Sequence, residues 1–185
     1  MRRASVPVTM TSVAAVPGEA TSSARVAPLL ETVYREHYRS LVRLASLLVD
    51  DVGSCEELVQ DAFVQVWRRG PPPCGEQRLP AYLRSAVLNG ARSHLRRSQV
   101  ARRHLQPVPS PTSGPEATPL AGDEHRVLSA LRSLPDRQRE VLALRYYLDL
   151  SEVEIAATLG ISAGSVKTHA HRGLATLAER LEALR

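Results

Sequence analysis

"EIAATLGISAGSVKTHAHRGL", residues 154–174, decides the fold. Its first apolar run stops at Gly160, a residue that enters the left-handed backbone region at no steric cost. The pattern restarts after Ser162, whose hydroxyl can bind the free amides of a new helix. Ala156, Gly160 and Val166 stand where two crossing helices need, in turn, a close approach, a tight turn and an apolar plug. This spacing predicts a helix-turn-helix, whereas a plain helical hairpin needs none of the three at these separations. Just upstream, Ser151 and Glu154 have the separation of a capping box, which opens the first helix. Downstream, Val166, Ala170, Gly173, Leu174, Leu177 and Leu181 recur at helical spacing and form the expected buried side of the second.

That second helix turns Ser165, Lys167, Thr168, His171 and Arg172 outward. Lys167 and Arg172 can bond guanine edges or phosphates, Thr168 can hydrogen-bond or touch a thymine methyl, and His171 can do either more weakly. The bland alternative is a solvated charge at Arg172 and an ordinary surface histidine at His171. His169 and His171 are two residues apart and point in different directions, so no metal site is expected there.

Working outward, the chain divides in two. Residues 105–122, "LQPVPSPTSGPEATPLAG", hold five prolines among Ser, Thr and Gly, a composition that excludes regular helix and favours an extended linker. Behind it, residues 123–185 read as helices marked by Val127, Leu128 and Leu131, then by Val141, Leu142, Leu144, Arg145 and Leu148, with Asp136 an expected N-cap. Ahead of it, residues 28–104 read as three amphipathic helices. Tyr34, Tyr38, Leu41, Leu44, Ala45 and Leu48 mark the first, and Val59, Ala62, Phe63, Val66 and Trp67 the second. Leu79, Tyr82, Leu83, Ala86, Val87, Gly90 and Leu95 mark the third, which begins near Pro80. "DDVGS" and "GPPPCG" separate them, and no period-two strand pattern competes. Residues 1–27 lack periodicity and are expected to form a disordered, dispensable leader, with Met10 an alternative start. The expectation is an all-α protein: two small helical modules joined by a Pro-rich linker, the C-terminal one a helix-turn-helix.

Charge is unevenly placed on this 185-residue chain of net charge +5. Residues 31–61 carry three Arg against seven acids, −4, while residues 62–104 carry nine Arg against one acid, +8. An acidic half beside a basic half suits two different partners, one of them a polyanion. Yet only Lys167 among the 24 basic residues is a lysine, a bias that a GC-rich coding sequence also produces. Cys55 and Cys74 are too few for a disulfide framework and lack metal-site spacing, so buried or incidental thiols are expected, ahead of redox sensing. No apolar run has membrane-spanning or signal-peptide length, and a soluble cytoplasmic protein is expected.

In sequence order, "YREHYRSLVRLASLLVDDVGSCEELVQDAFVQVWRR", "AYLRSAVLNGARSHLRR" and "LPDRQREVLALRYYLDLSEVEIAATLGISAGSVKTHAHRGLATL" resemble an extracytoplasmic-function (group IV) bacterial RNA polymerase sigma factor. The resemblance spans about 28–184. It implies a first module, region 2, that binds core RNA polymerase and the promoter's minus-ten element, and a second, region 4, that binds the minus-thirty-five element. For core binding it implies Glu56, Glu57, Leu58, Gln60, Asp61 and Phe63, docked on the clamp helices of the largest catalytic subunit, with Val59, Val66 and Trp67 assigned to the core. For the minus-ten strand it implies Tyr82, Asn89, Arg92, Arg96 and Arg97, beside a pocket for a flipped base shaped by the loop "RRGPPPCGEQRLP". For the minus-thirty-five element it implies the outward residues of the recognition helix. It also gives the linker a path through the polymerase, and family analogy adds an anti-sigma factor that clamps both modules. Cys55 replaces a usual alanine and Ser93 a usual Asn or Asp, and the proline-rich loop is less ordinary, which leaves minus-ten specificity the least transferable part.

The C-terminal module alone also resembles a LuxR-type helix-turn-helix regulator that acts without joining core polymerase. Against that alternative, the N-terminal half lacks the strand-helix alternation of a receiver or ligand-sensing domain. There is no phosphate-binding glycine loop, nucleophile elbow or His, Cys and carboxylate cluster, so neither enzymatic activity nor a cofactor is expected.

Overall fold

The computed structural model describes residues 19–70, 76–104 and 122–183, and within them every regular element is helical. Helix α1 (Glu19–Leu48), α2 (Val52–Arg69) and α3 (Leu79–His104, entered through a 3-10 turn at Glu76–Arg78) form the first module. The second comprises α4 (Gly122–Arg132), α5 (Asp136–Leu142), α6 (Glu152–Leu159) and α7 (Ala163–Ala183). Helix α1 starts earlier than expected, inside the stretch read as leader. Residues 1–18, the loop 71–75 and the linker 105–121 lie outside the described residues.

The caps account for the helix boundaries. The Asp51 carboxylate accepts from the Ser54 amide at 2.7 Å and starts α2, and Gly70, at φ 80°, ends it. At the next module the expectation needs a correction. Asp136 is not the cap of α5: Pro135 occupies that position and Asp136 is already helical, where its carboxylate accepts from Arg139 at 2.7 Å. Proline's fixed φ suits the entry, which frees the acid to pair one turn on. A π-helical turn at Ala143–Tyr147 follows α5, so the run read as one helix changes pitch part-way.

Leu41, Leu44, Val59, Val66, Leu83 and Val87 are almost fully buried and close the first core. Helix α3 approaches α2 at Gly90, where an added Cβ would lie 2.8 Å from Leu58. The core does not end at the module boundary. Val141, Leu144, Ile155 and Val166 belong to the same buried cluster as the first-module residues, and Leu131, Leu134 and Leu142 form a smaller one beneath α4. Two thin helical layers gain by sharing an interior, because the buried fraction of a chain grows with its size.

Polar contacts also cross the boundary. The Arg132 guanidinium donates to the Ser46 carbonyl at 2.6 Å and pairs with Asp50 at 3.2 Å, tying α4 to the end of α1. The Ser85 hydroxyl donates to the Thr158 carbonyl at 3.3 Å, tying α3 to α6.

Candidate nucleic-acid and partner interfaces

The helix-turn-helix takes its shape from the three residues that signalled it. Gly160 lies at φ 66°, ψ 39°, and its amide returns to the Ala156 carbonyl. Val166 is completely buried and Ala156 packs against the core. The capping box is closed in both directions: the Glu154 amide donates to the Ser151 hydroxyl, and the Glu154 carboxylate accepts from the Ser151 amide at 2.9 Å. The Ser151 hydroxyl and amide therefore hold the Glu154 carboxyl below its ordinary range. The Ser162 hydroxyl accepts from the Ser165 amide at 3.1 Å, which opens α7.

On α7, Lys167, Thr168, His171 and Arg172 are exposed on the outer face. Ser165 is half-buried, and its hydroxyl lies 2.9 Å from that of Ser162, which turns it toward capping. Lys167 lies 3.6 Å from Glu152, and the Thr168 hydroxyl donates to the Gly164 carbonyl. Leu174, expected on the buried side, is 42% exposed. It lies about 100° round the helix from Gly173, whose close approach to Leu142 sets the packed side.

Helix α2 presents Glu56, Glu57, Gln60 and Asp61 to solvent. One expected core residue needs correction, and two of the expected partner contacts lie inside this chain. Leu58 and Phe63 are buried, Leu58 against Gly90 and Phe63 edge-on to Tyr34 with ring centroids 5.3 Å apart. Trp67 is 49% exposed instead of lying in the core. It lines an open apolar groove with Leu30, Tyr34, Phe63 and Val64. The cause is angular. Val59, Ala62 and Val66 set the inward direction, and Trp67 follows Val66 by one residue, about 100° away. Eleven residues from Glu56, about three turns, Trp67 returns to the acidic stripe. Tyr34, also expected in the core, is 45% exposed and stacks on Tyr38 at 4.5 Å.

On α3, Asn89, Arg96 and Arg97 are exposed and Tyr82 is half-buried against the core. Arg92 has a partner that periodicity could not supply. Its guanidinium forks onto the Glu140 carboxylate of α5, with Nη2 to Oε2 at 2.8 Å, while Nη1 donates to Asn89 Oδ1 at 2.8 Å. Glu140 is 3% exposed and also accepts from Arg137 at 3.1 Å.

Cys55 is buried, and desolvation pushes its thiol up to about 11, away from the reactive thiolate. Cys74 lies outside the described residues. Among the described residues, no group of three or more His, Cys, Asp or Glu could hold a metal ion.

A helix-turn-helix in one module thus stands with an acidic helix face and an arginine-bearing helix in the other, the architecture of a two-module all-helical protein. Residues 33–100 match the family described as Sigma-70 region 2, and residues 124–177 match Sigma-70, region 4. The RNA polymerase sigma-E factor of Streptomyces avermitilis is 32% identical over 152 residues, 82% of this chain and 84% of that protein. The ECF RNA polymerase sigma factor SigL of Mycobacterium tuberculosis is 29% identical over 88% of this chain and 94% of its own. Among solved structures, CnrH in complex with the cytosolic domain of CnrY superposes with a TM-score of 0.65 at 25% identity, covering 89% of this chain and 95% of that one. The sigma factor RpoE of Bartonella quintana, solved with the anti-sigma factor NepR, shares the fold at a TM-score of 0.66 and 24% identity, over 84% and 98% of the two chains. The chain belongs to the extracytoplasmic-function RNA polymerase sigma factors. It is an alternative sigma factor, whose class directs transcription initiation, and the match to region 2 separates it from LuxR-type regulators.

Proposed function

We propose that the three exposed faces divide the work of initiation. The acidic stripe of α2, Glu56, Glu57, Gln60 and Asp61, docks on core polymerase together with Trp67 and Val64. Asn89, Arg92, Arg96 and Arg97 of α3, with Tyr82 as a stacking surface, hold the separated minus-ten strand. Lys167, Thr168, His171 and Arg172 of α7 read the minus-thirty-five element, with Ser165 kept at the helix entrance. The observation that carries this reading is the opposition of faces: carboxylates beside an exposed indole on α2, and cationic or amide side chains on α3 and α7. Carboxylates repel a phosphate backbone, whereas guanidinium and amide groups bind it and the base edges.

Phosphodiester chemistry belongs to the polymerase. This chain supplies binding free energy for promoter choice and for the few kcal/mol needed to unstack a base. No described helix is long and apolar enough to cross a membrane, and the proposed partners place its action in the cytoplasm. The Bartonella quintana relative takes an anti-sigma factor, and we extend that class of partner to this chain.

Run-off transcription with purified core polymerase on a library of genomic promoter fragments tests the assignment. Specific transcripts are expected only with the protein present, and they should disappear in Glu57→Lys, Asp61→Lys. Transcripts undiminished by that double reversal would remove α2 from the docking face.

A further inference from the structure

We propose that the crevice between α1, α3 and Leu148 binds one small phosphate, as inorganic phosphate or a phosphate monoester, through Arg84 and His37. His37, Ser40 and Leu41 of α1, Pro80 and Arg84 of α3, and Leu148, just after the π-helical turn, line a space of about 200 Å³. Sites for drug-sized ligands hold roughly 300–1,000 Å³, so this one suits an ion of a few heavy atoms and is too small for a nucleotide. Leu41 is buried and Leu148 half-buried, which makes part of the wall apolar.

Arg84 carries the assignment. Its Nε is buried and has no hydrogen-bond partner among the described residues. A buried donor without an acceptor is costly and native proteins seldom leave one, so this N–H marks a place where an acceptor belongs. With the neighbouring Nη–H it forms one edge of the fork through which guanidinium groups bind phosphate oxygens in pairs. Glu154 acts on Arg84 electrostatically, but its carboxylate is already held by the Ser151 amide at 2.9 Å and the Ser151 hydroxyl at 2.7 Å. Desolvation therefore holds the guanidinium below its ordinary pKa, as it does for a cation short of counter-charge. His37 supplies the second donor. Its Nε2 stands 3.8 Å from the Glu36 carboxylate, beyond hydrogen-bond reach, and an imidazole keeps at least one N–H in either protonation state. The Ser40 hydroxyl is committed elsewhere, donating to the His37 carbonyl at 2.8 Å. A carboxylate ligand would be satisfied by the fork alone, whereas a phosphate has oxygens left for His37. A nucleic-acid backbone offers the same oxygens with flanking sugars that this volume excludes.

Phosphorus NMR titrations of the full chain at constant ionic strength, with inorganic phosphate and separately with methyl phosphate, test the site. Saturable binding of one phosphate per chain is expected. Arg84→Gln should weaken it by about tenfold or more and His37→Gln by several-fold, with circular dichroism following helix content in both. Thermal melts give a second readout: phosphate should raise the wild-type Tm along a saturation curve, and the rise should be lost in Arg84→Gln. Methyl phosphate binding as well as inorganic phosphate assigns the site to monoesters, and its exclusion assigns the site to the free ion. Wild-type protein without saturable binding overturns the site. So does equal binding by Arg84→Gln, which would mean that arginines of other faces collect the ion.

Discussion

Trp67 separates what one residue contributes to folding from what it offers a partner. Half its surface is exposed beside Val64 and the acidic stripe, while its other side covers Tyr34 and Phe63 in the apolar groove. Buried aromatic anchors commonly contribute about 2 kcal/mol or more to an interface, and losing a half-exposed ring costs a fold less. Trp67→Ala should therefore weaken core-polymerase binding by about tenfold or more while reducing stability by about 1 kcal/mol. Equilibrium binding and urea unfolding measured on the same preparations check this; polymerase affinity equal to wild type would return Trp67 to a packing role. Cys55 shows the opposite case. It fills a wholly buried position in the core, and its desolvated thiol is a poor nucleophile.

At the level of elements, short-range chemistry sets the helix ends, and that chemistry was legible in the sequence. Ser151, Glu154, Gly160 and Ser162 act within four residues of themselves, so spacing alone located them. Removing the Ser151 hydroxyl leaves one amide of α6 uncapped and should cost about 1 kcal/mol at neutral pH. The pH dependence has a definite sign. The folded Glu154 carboxyl is the stronger acid, so its contribution is complete above the ordinary carboxylate range and is lost as pH falls through the lowered value. The gap between thermal melts of wild type and Ser151→Ala should narrow from neutral to acidic pH without closing, because the bond from the Glu154 amide to the Ser151 hydroxyl carries no charge; a gap independent of pH would assign the cap to Ser151 alone.

What the pattern could not disclose depends on a second element. Periodicity gives a helix's apolar stripe but not which flank a neighbour will cover, so Trp67, Tyr34 and Leu174 were placed inward, although α1, α2 and α7 leave them substantially exposed. The same limit hid Glu140 as the partner of Arg92, because 48 residues and a proline-rich linker separate them. Leu58 was assigned to a docking surface by resemblance, yet the glycine facing it on α3 draws it inward.

At the scale of the molecule, the shared interior predicts the unfolding behaviour. Because buried residues of α5, α6 and α7 join the cluster closed by α1, α2 and α3, neither module retains a full core after separation. Scanning calorimetry of the free chain should give one cooperative transition, with calorimetric and van't Hoff enthalpies in agreement. Two resolved transitions would mean that the modules are stable apart.

The recognition helix has one further property of practical use. Lys167 is the sole lysine of the chain, and its side chain is exposed on α7 five residues after the Ser162 cap. Apart from the α-amino group, it is the protein's single primary amine. Acylating reagents, amine-directed cross-linkers and affinity tags that seek primary amines will meet one side-chain address, on α7, besides the α-amino group, and raising the pH above the α-amine's range shifts the label toward Lys167.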